Sequence, residues 1–90
     1  MKKYSVKTSP TAEKAIAKLD LPIQQRIKKW IDENLKDCEN PRWSGKPLYG
    51  KLKGKWRYRV GKYRLIAEIR DDEILILIVD ADKRNDIHKN

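Results

Sequence analysis

A single cysteine and a single histidine in 90 residues leave this sequence poor in the side chains that most often build metal centres and nucleophilic sites. Cys38 has no partner for an internal disulfide or for a cysteine-based zinc site, which fits a reducing compartment. It is expected to behave as a small, semi-buried apolar residue. Glycine-rich phosphate loops, acid pairs set among apolar neighbours, Cys/His metal spacings and a nucleophile elbow are all missing, so neither metal nor organic cofactor is expected. No apolar run approaches the roughly 20 residues that cross a bilayer. Met1-Lys2-Lys3 leads into Tyr4-Ser5-Val6-Lys7 rather than into a signal-peptide core. The expectation is a cytoplasmic protein with no membrane attachment. Internal repeats and low-complexity segments are also lacking, and the length suits one domain over residues 1–90 with a compact core.

The most informative absence is local. Between Arg42 and Arg64 there is no Asp or Glu, but there are nine basic residues: Arg42, Lys46, Lys51, Lys53, Lys55, Arg57, Arg59, Lys62 and Arg64. The chain carries 22 basic and 13 acidic residues, a net charge of +9, so the basic residues elsewhere are balanced and this segment holds the whole excess. Clustered cations repel one another until phosphates neutralise them, which points to a polyanionic partner. A merely soluble basic surface is the alternative.

Apolar periodicity divides the chain. Lys3 to Thr8 reads as a short strand, and Ser9-Pro10 as the N-cap and first residue of a helix with Ala12, Ala15, Ile16 and Leu19 on one face. Asp20-Leu21-Pro22 interrupts it. Pro22 then opens a second, amphipathic helix carrying Ile23, Ile27, Trp30, Ile31 and Leu35, with Trp30 directed at the core. So short a break predicts an antiparallel helical hairpin. Asn40 to Gly54 is rich in Pro and Gly and reads as loop.

From Lys55 the period becomes two. Trp56, Tyr58 and Val60 alternate with Arg57 and Arg59; after Gly61-Lys62, Tyr63, Leu65, Ala67 and Ile69 alternate with Arg64, Ile66 and Glu68. A two-residue loop beginning with Gly fits a primed hairpin turn. Glu73 to Val79 is nearly continuous aliphatic sequence, as in a central strand, and Asp80 to Asn90 forms a polar tail. The expected class is α+β: an N-terminal strand, the helical hairpin, then a three-stranded antiparallel sheet, four strands in all, with the helices on one face.

The hairpin register sets Arg59 directly opposite Arg64, with Arg57 two residues along on the same face. Like charges so placed destabilise a sheet. Either their stems splay into water or pair with Glu68, or the three form a rigid anion-binding surface, for which the planar, permanently charged guanidinium is well suited. Trp43, Tyr49, Trp56 and Tyr58 lie among the cations and could stack on bases; alternation assigns Trp56 and Tyr58 to the core. In an extended tail Arg84, Asp86 and His88 point one way. His88 is either an exposed terminal side chain or the one group able to act as a base near neutrality. Cleavage of RNA through its own 2′-hydroxyl needs such a base, cations around the phosphorane, and a proton donor for the departing 5′-oxygen.

The run Lys51-Leu52-Lys53-Gly54-Lys55-Trp56-Arg57-Tyr58-Arg59-Val60-Gly61-Lys62-Tyr63-Arg64-Leu65-Ile66 resembles the signature of the RelE/ParE superfamily of bacterial and archaeal toxins. The aliphatic last strand, Lys83-Arg84, Ile87-His88 and the strand with two helices extend the resemblance over nearly the whole chain. RelE-type members are mRNA interferases that enter the ribosomal A site and leave a 2′,3′-cyclic phosphate and a 5′-hydroxyl. ParE-type members poison DNA gyrase on the same fold, so fold alone does not choose between them.

Carried over by position, the resemblance implies that Arg57 and Arg59 hold RNA and activate the reaction. Arg64 stabilises charge on the scissile phosphate and Arg84 acts near the leaving oxygen; beside these, the charge pattern makes Lys46, Lys51, Lys53 and Lys55 the candidates for binding RNA. His88 stands where many members have Tyr; it either serves as general base or marks a weakened or inactive toxin that retains antitoxin binding. A RelB-like antitoxin, acidic and partly disordered, is the implied protein partner, mRNA and the ribosome the implied target, and the free toxin is expected to be a monomer.

Overall fold

A computed structural model describes residues 3–83. Two helices cover one face of a five-stranded mixed sheet. Strand β1 (Ser5–Thr8) ends at Ser9, whose hydroxyl accepts the Ala12 N–H at 3.1 Å and caps helix α1 (Pro10–Ala17). Helix α2 (Leu21–Asn34) starts one residue earlier than the proline suggested, because proline is tolerated anywhere in a first turn whose N–H groups lack partners. Between the helices Gln24 donates from Nε2 to the Leu19 carbonyl at 2.8 Å and ties the link closed.

After a loop come β2 (Lys46–Pro47), a 3-10 turn (Gly50–Leu52), β3 (Trp56–Val60), β4 (Tyr63–Arg70), a second 3-10 turn (Asp71–Glu73) and β5 (Leu75–Lys83). The sheet order is β1-β5-β4-β3-β2, with β1 parallel to β5 and every other pairing antiparallel. Three expectations are thereby corrected. The sheet has five strands, since Lys46 and Pro47, read as loop, pair with Arg57 and Trp56; a proline is admissible there because β2 is the edge. The first strand begins at Ser5 rather than Lys3. The last begins at Leu75 and continues through Asp80–Lys83, which had been assigned to the polar tail.

The core lies between the sheet and the helices. Tyr58, Leu65, Ala67, Ile76 and Ile78 from the sheet meet Ala12, Ile27 and Leu35. Trp30 is half-buried, its ring tilted against that of Tyr58 at 5.7 Å between centroids. The Tyr58 hydroxyl donates to the carbonyl of Pro41 at 2.6 Å, and Gly45 lies so near the ring that a Cβ there would be 2.7 Å from Tyr58 Cε1. Farther along, Arg42 makes a two-point ion pair with Asp71 (2.8 and 3.2 Å), stacks over Trp56, and shares Asp71 with the Tyr4 hydroxyl. The loop before β2 is therefore pinned to the sheet at both Pro41 and Arg42. No helix of the described residues is long and apolar enough to cross a membrane.

Candidate functional site

Alternation fixes what the uncovered sheet face displays. With Tyr58 and Val60 buried towards the helices, Arg57 and Arg59 must emerge on the other side. Gly61 adopts φ +62°, the first-position geometry of a primed turn, and closes the hairpin so that Val60 faces Tyr63 and Arg59 faces Arg64, as the spacing required. Lys46 is opposite Arg57 across the β2–β3 pair. The result is a cleft of about 220 Å³ lined by Ser44, Lys46, Arg57 and Arg59, with Arg64 in the next strand.

Arg64 faces Asp82 as well as Arg59. Its Nε donates to one carboxylate oxygen at 2.7 Å and its Nη2 to the other at 3.2 Å. That hydrogen bonding raises the guanidinium pKa above its ordinary value, against the opposing effect of desolvation, so the group stays charged throughout the working pH range. Glu68, one alternative partner for the face arginines, accepts from Arg70 at 3.1 Å and meets Lys55 at 3.5 Å. Together these hold its carboxyl below the usual range, Arg70 contributing most.

The other candidates separate. Lys51 and Lys53 stand exposed on and just after the Gly50–Leu52 turn, outside the cleft lining. Lys55 is half-buried and its ammonium meets Glu68 at 3.5 Å. Arg84 and His88 lie outside the described residues. Trp43 and Tyr49 are 78% and 79% exposed, whereas Tyr58 is fully buried and Trp56 half-buried, in line with the alternation. A second, larger groove of about 540 Å³ between β1 and the helices is lined by Val6, Ile16, Ile27 and Ile31 with Glu13 of α1, Lys28 and Asp32 of α2, and Lys36 and Asp37 beyond it, and lacks the cationic excess of the open face.

Residues 6–87 match the family described as ParE toxin of type II toxin-antitoxin system. The chain belongs to the RelE/ParE toxin superfamily. Toxin RelG of Mycobacterium tuberculosis is 31% identical over 86 residues, covering 96% of this chain and 97% of the relative. A putative RelE-like toxin protein of Escherichia coli is 34% identical over 83 residues, covering 91% and 84%. Among solved structures, a chain of the RelBE2 toxin-antitoxin complex of M. tuberculosis superposes with a TM-score of 0.82 at 30% identity, covering 91% of this chain and 99% of that one. Isolated RelE of E. coli superposes at 0.72 with 23% identity and shares the fold, covering 91% and 85%. A RelE/ParE toxin is thus framed on this sheet. Ser44 and Asp82 are the site residues that spacing did not single out; the Asp80-Ala81-Asp82 alternation after Val79 was the available signal for the second.

Proposed function

We propose that this toxin is a ribosome-dependent endoribonuclease that cleaves mRNA by attack of the 2′-hydroxyl on the adjacent phosphate. The observation that carries the reading is the cleft of Lys46, Arg57 and Arg59 with Arg64 beside it on the same sheet face. In the reaction the 2′-oxygen bonds to phosphorus while the bond from phosphorus to the 5′-oxygen breaks. The hydroxyl proton passes to a base and the 5′-oxygen takes one up, giving a 2′,3′-cyclic phosphate and a 5′-hydroxyl. Charge grows on the equatorial phosphate oxygens, where preorganised guanidiniums act with most effect. Arg57 and Arg59 hold the phosphate, Arg64 meets the developing charge, Arg84 serves the leaving oxygen, and His88 is the base, the last two by resemblance. Lys46 and the exposed Lys51 and Lys53 extend the contact along the backbone. A cytoplasmic location accords with a ribosomal target.

A RelB-like antitoxin is the proposed partner. Solved relatives include toxin-antitoxin complexes, and an acidic segment would complement a face with no acid between residues 42 and 64. The matching family description, ParE toxin, favours a second reading in which the same face engages DNA gyrase without cutting RNA. Primer extension on mRNA from cells expressing the chain decides between them. Breaks at A-site codons, lost in Arg64→Ala and His88→Ala, are expected. Intact mRNA together with inhibited gyrase supercoiling would give the second reading instead.

A further inference from the structure

A carboxylate sits where a phosphate-binding face should exclude one. Arg59, Arg64 and Asp82 form a single row across β3, β4 and β5. Only a local irregularity creates that row, because the β4–β5 register shifts by one residue between Ile66 and Ala67. Had the alignment of Ala67 with Ile78 continued, Arg64 would face Ala81, and Asp82 would fall opposite Tyr63, towards the helices. Bulges of this kind are often found where a strand must re-aim a side chain beside a functional site.

Stability does not account for the arrangement. The two side chains are 40% and 44% exposed, and ion pairs so open to solvent add little to folding. Geometry offers the better explanation. A guanidinium has five N–H donors in a rigid plane, and Asp82 occupies the side edge formed by Nε and Nη2. The end edge, Nη1 with the second hydrogen of Nη2, keeps its fork and can still take two phosphate oxygens. The neighbouring carboxylate, Asp80, instead turns one oxygen to the Ala81 N–H at 2.8 Å, while Arg59 would push an untethered Arg64 away.

We propose that Asp82 is the positioning residue of the site, clamping Arg64 by its side edge so that its end edge meets the scissile phosphate. This rests on the nuclease reading above. Asp82 touches no substrate; it acts through Arg64. The competing role is a mask, in which Asp82 merely neutralises Arg64 until RNA displaces it.

Single-turnover cleavage of ribosome-bound mRNA by Asp82→Ala, Asp82→Asn and Asp82→Glu separates the two, with binding measured on mRNA carrying a 2′-deoxy nucleotide at the cleavage point. Positioning predicts that Asp82→Ala loses about 10- to 100-fold in cleavage rate with unchanged or tighter binding of the 2′-deoxy complex. Asp82→Glu should recover most of the rate. In the background of Arg64→Ala, removing Asp82 should have no further effect. Wild-type or faster cleavage by Asp82→Ala and Asp82→Asn, or an additive loss in the double variant, would overturn the inference and leave the nuclease reading standing. A wild-type protein that leaves ribosome-bound mRNA whole would remove both.

Discussion

Replacing Tyr58 with Phe tests how much the buried hydrogen bond at Pro41, one of the two pins on the loop before β2, contributes to the fold. The ring is fully enclosed, and burial raises the phenol pKa well above its ordinary value, so the hydroxyl remains a donor at any pH at which the protein folds. Its acceptor, the carbonyl of Pro41, belongs to a residue that is itself fully buried. Deleting the donor removes the 2.6 Å bond and leaves that carbonyl without its protein partner, while the aromatic packing against Trp30 survives. A buried group deprived of its partner costs about 1–3 kcal/mol. For a domain of this size each kcal/mol moves the melting temperature by roughly 4–8 °C, so a fall of about 5–20 °C is expected. In urea the midpoint should drop with an unchanged slope, since the surface exposed on unfolding is the same. A melting temperature lowered by less than about 2 °C would mean that the Tyr58–Pro41 bond does not hold the loop.

Other consequences follow from the same coordinates. Gly45→Ala should destabilise by about 1–3 kcal/mol in denaturant titration, because the added methyl would meet Tyr58 Cε1 at 2.7 Å and the Arg57 carbonyl at 3.1 Å, one of them backbone. Arg59→Ala should weaken binding of single-stranded RNA and reduce the slope of log affinity against log salt by roughly 0.7, one phosphate contact's worth, as read by fluorescence anisotropy at several salt concentrations. For Glu68, whose carboxyl pKa is lowered chiefly by Arg70, the stabilising contribution is full above the unfolded value of about 4.3 and is lost as pH falls through the lower folded value. Glu68→Gln should accordingly lose stability less steeply than the parent between about pH 5 and pH 3 in thermal melts.

Where sequence and structure agree, a strong local rule was at work. Trp56-Arg57-Tyr58-Arg59-Val60, a Gly-initiated turn and Tyr63-Arg64-Leu65 admit one register, since a slip of one residue would bury the arginines and expose Tyr58 and Leu65. That register was legible, and with it the convergence of Arg59 and Arg64. Strand β2 was not, because two residues cannot show a period and one of them is a proline whose neighbourhood reads as turn. The end of β5 was hidden for another reason. Its aliphatic signal stops at Val79 while pairing continues to Lys83, and the one-residue register shift breaks the alternation that would have tied Asp82 to Arg64. Asp82 is placed by non-local pairing, which composition does not record, and Ser44 by a turn with no periodicity.

The parallel pairing of β1 with β5 also bears on how the protein comes into being. Ser5 must wait for Leu75, and Arg64 for Asp82, so during synthesis the first strand has no bed to lie in and Arg64 no carboxylate beside it until translation has passed Lys83. Contacts that bridge such sequence distances form late and slow the search for the native state. A chain still tethered to the machine that makes it would hold Arg64 beside Arg59 with nothing to balance the two, and the row would be completed only as the last strand emerges.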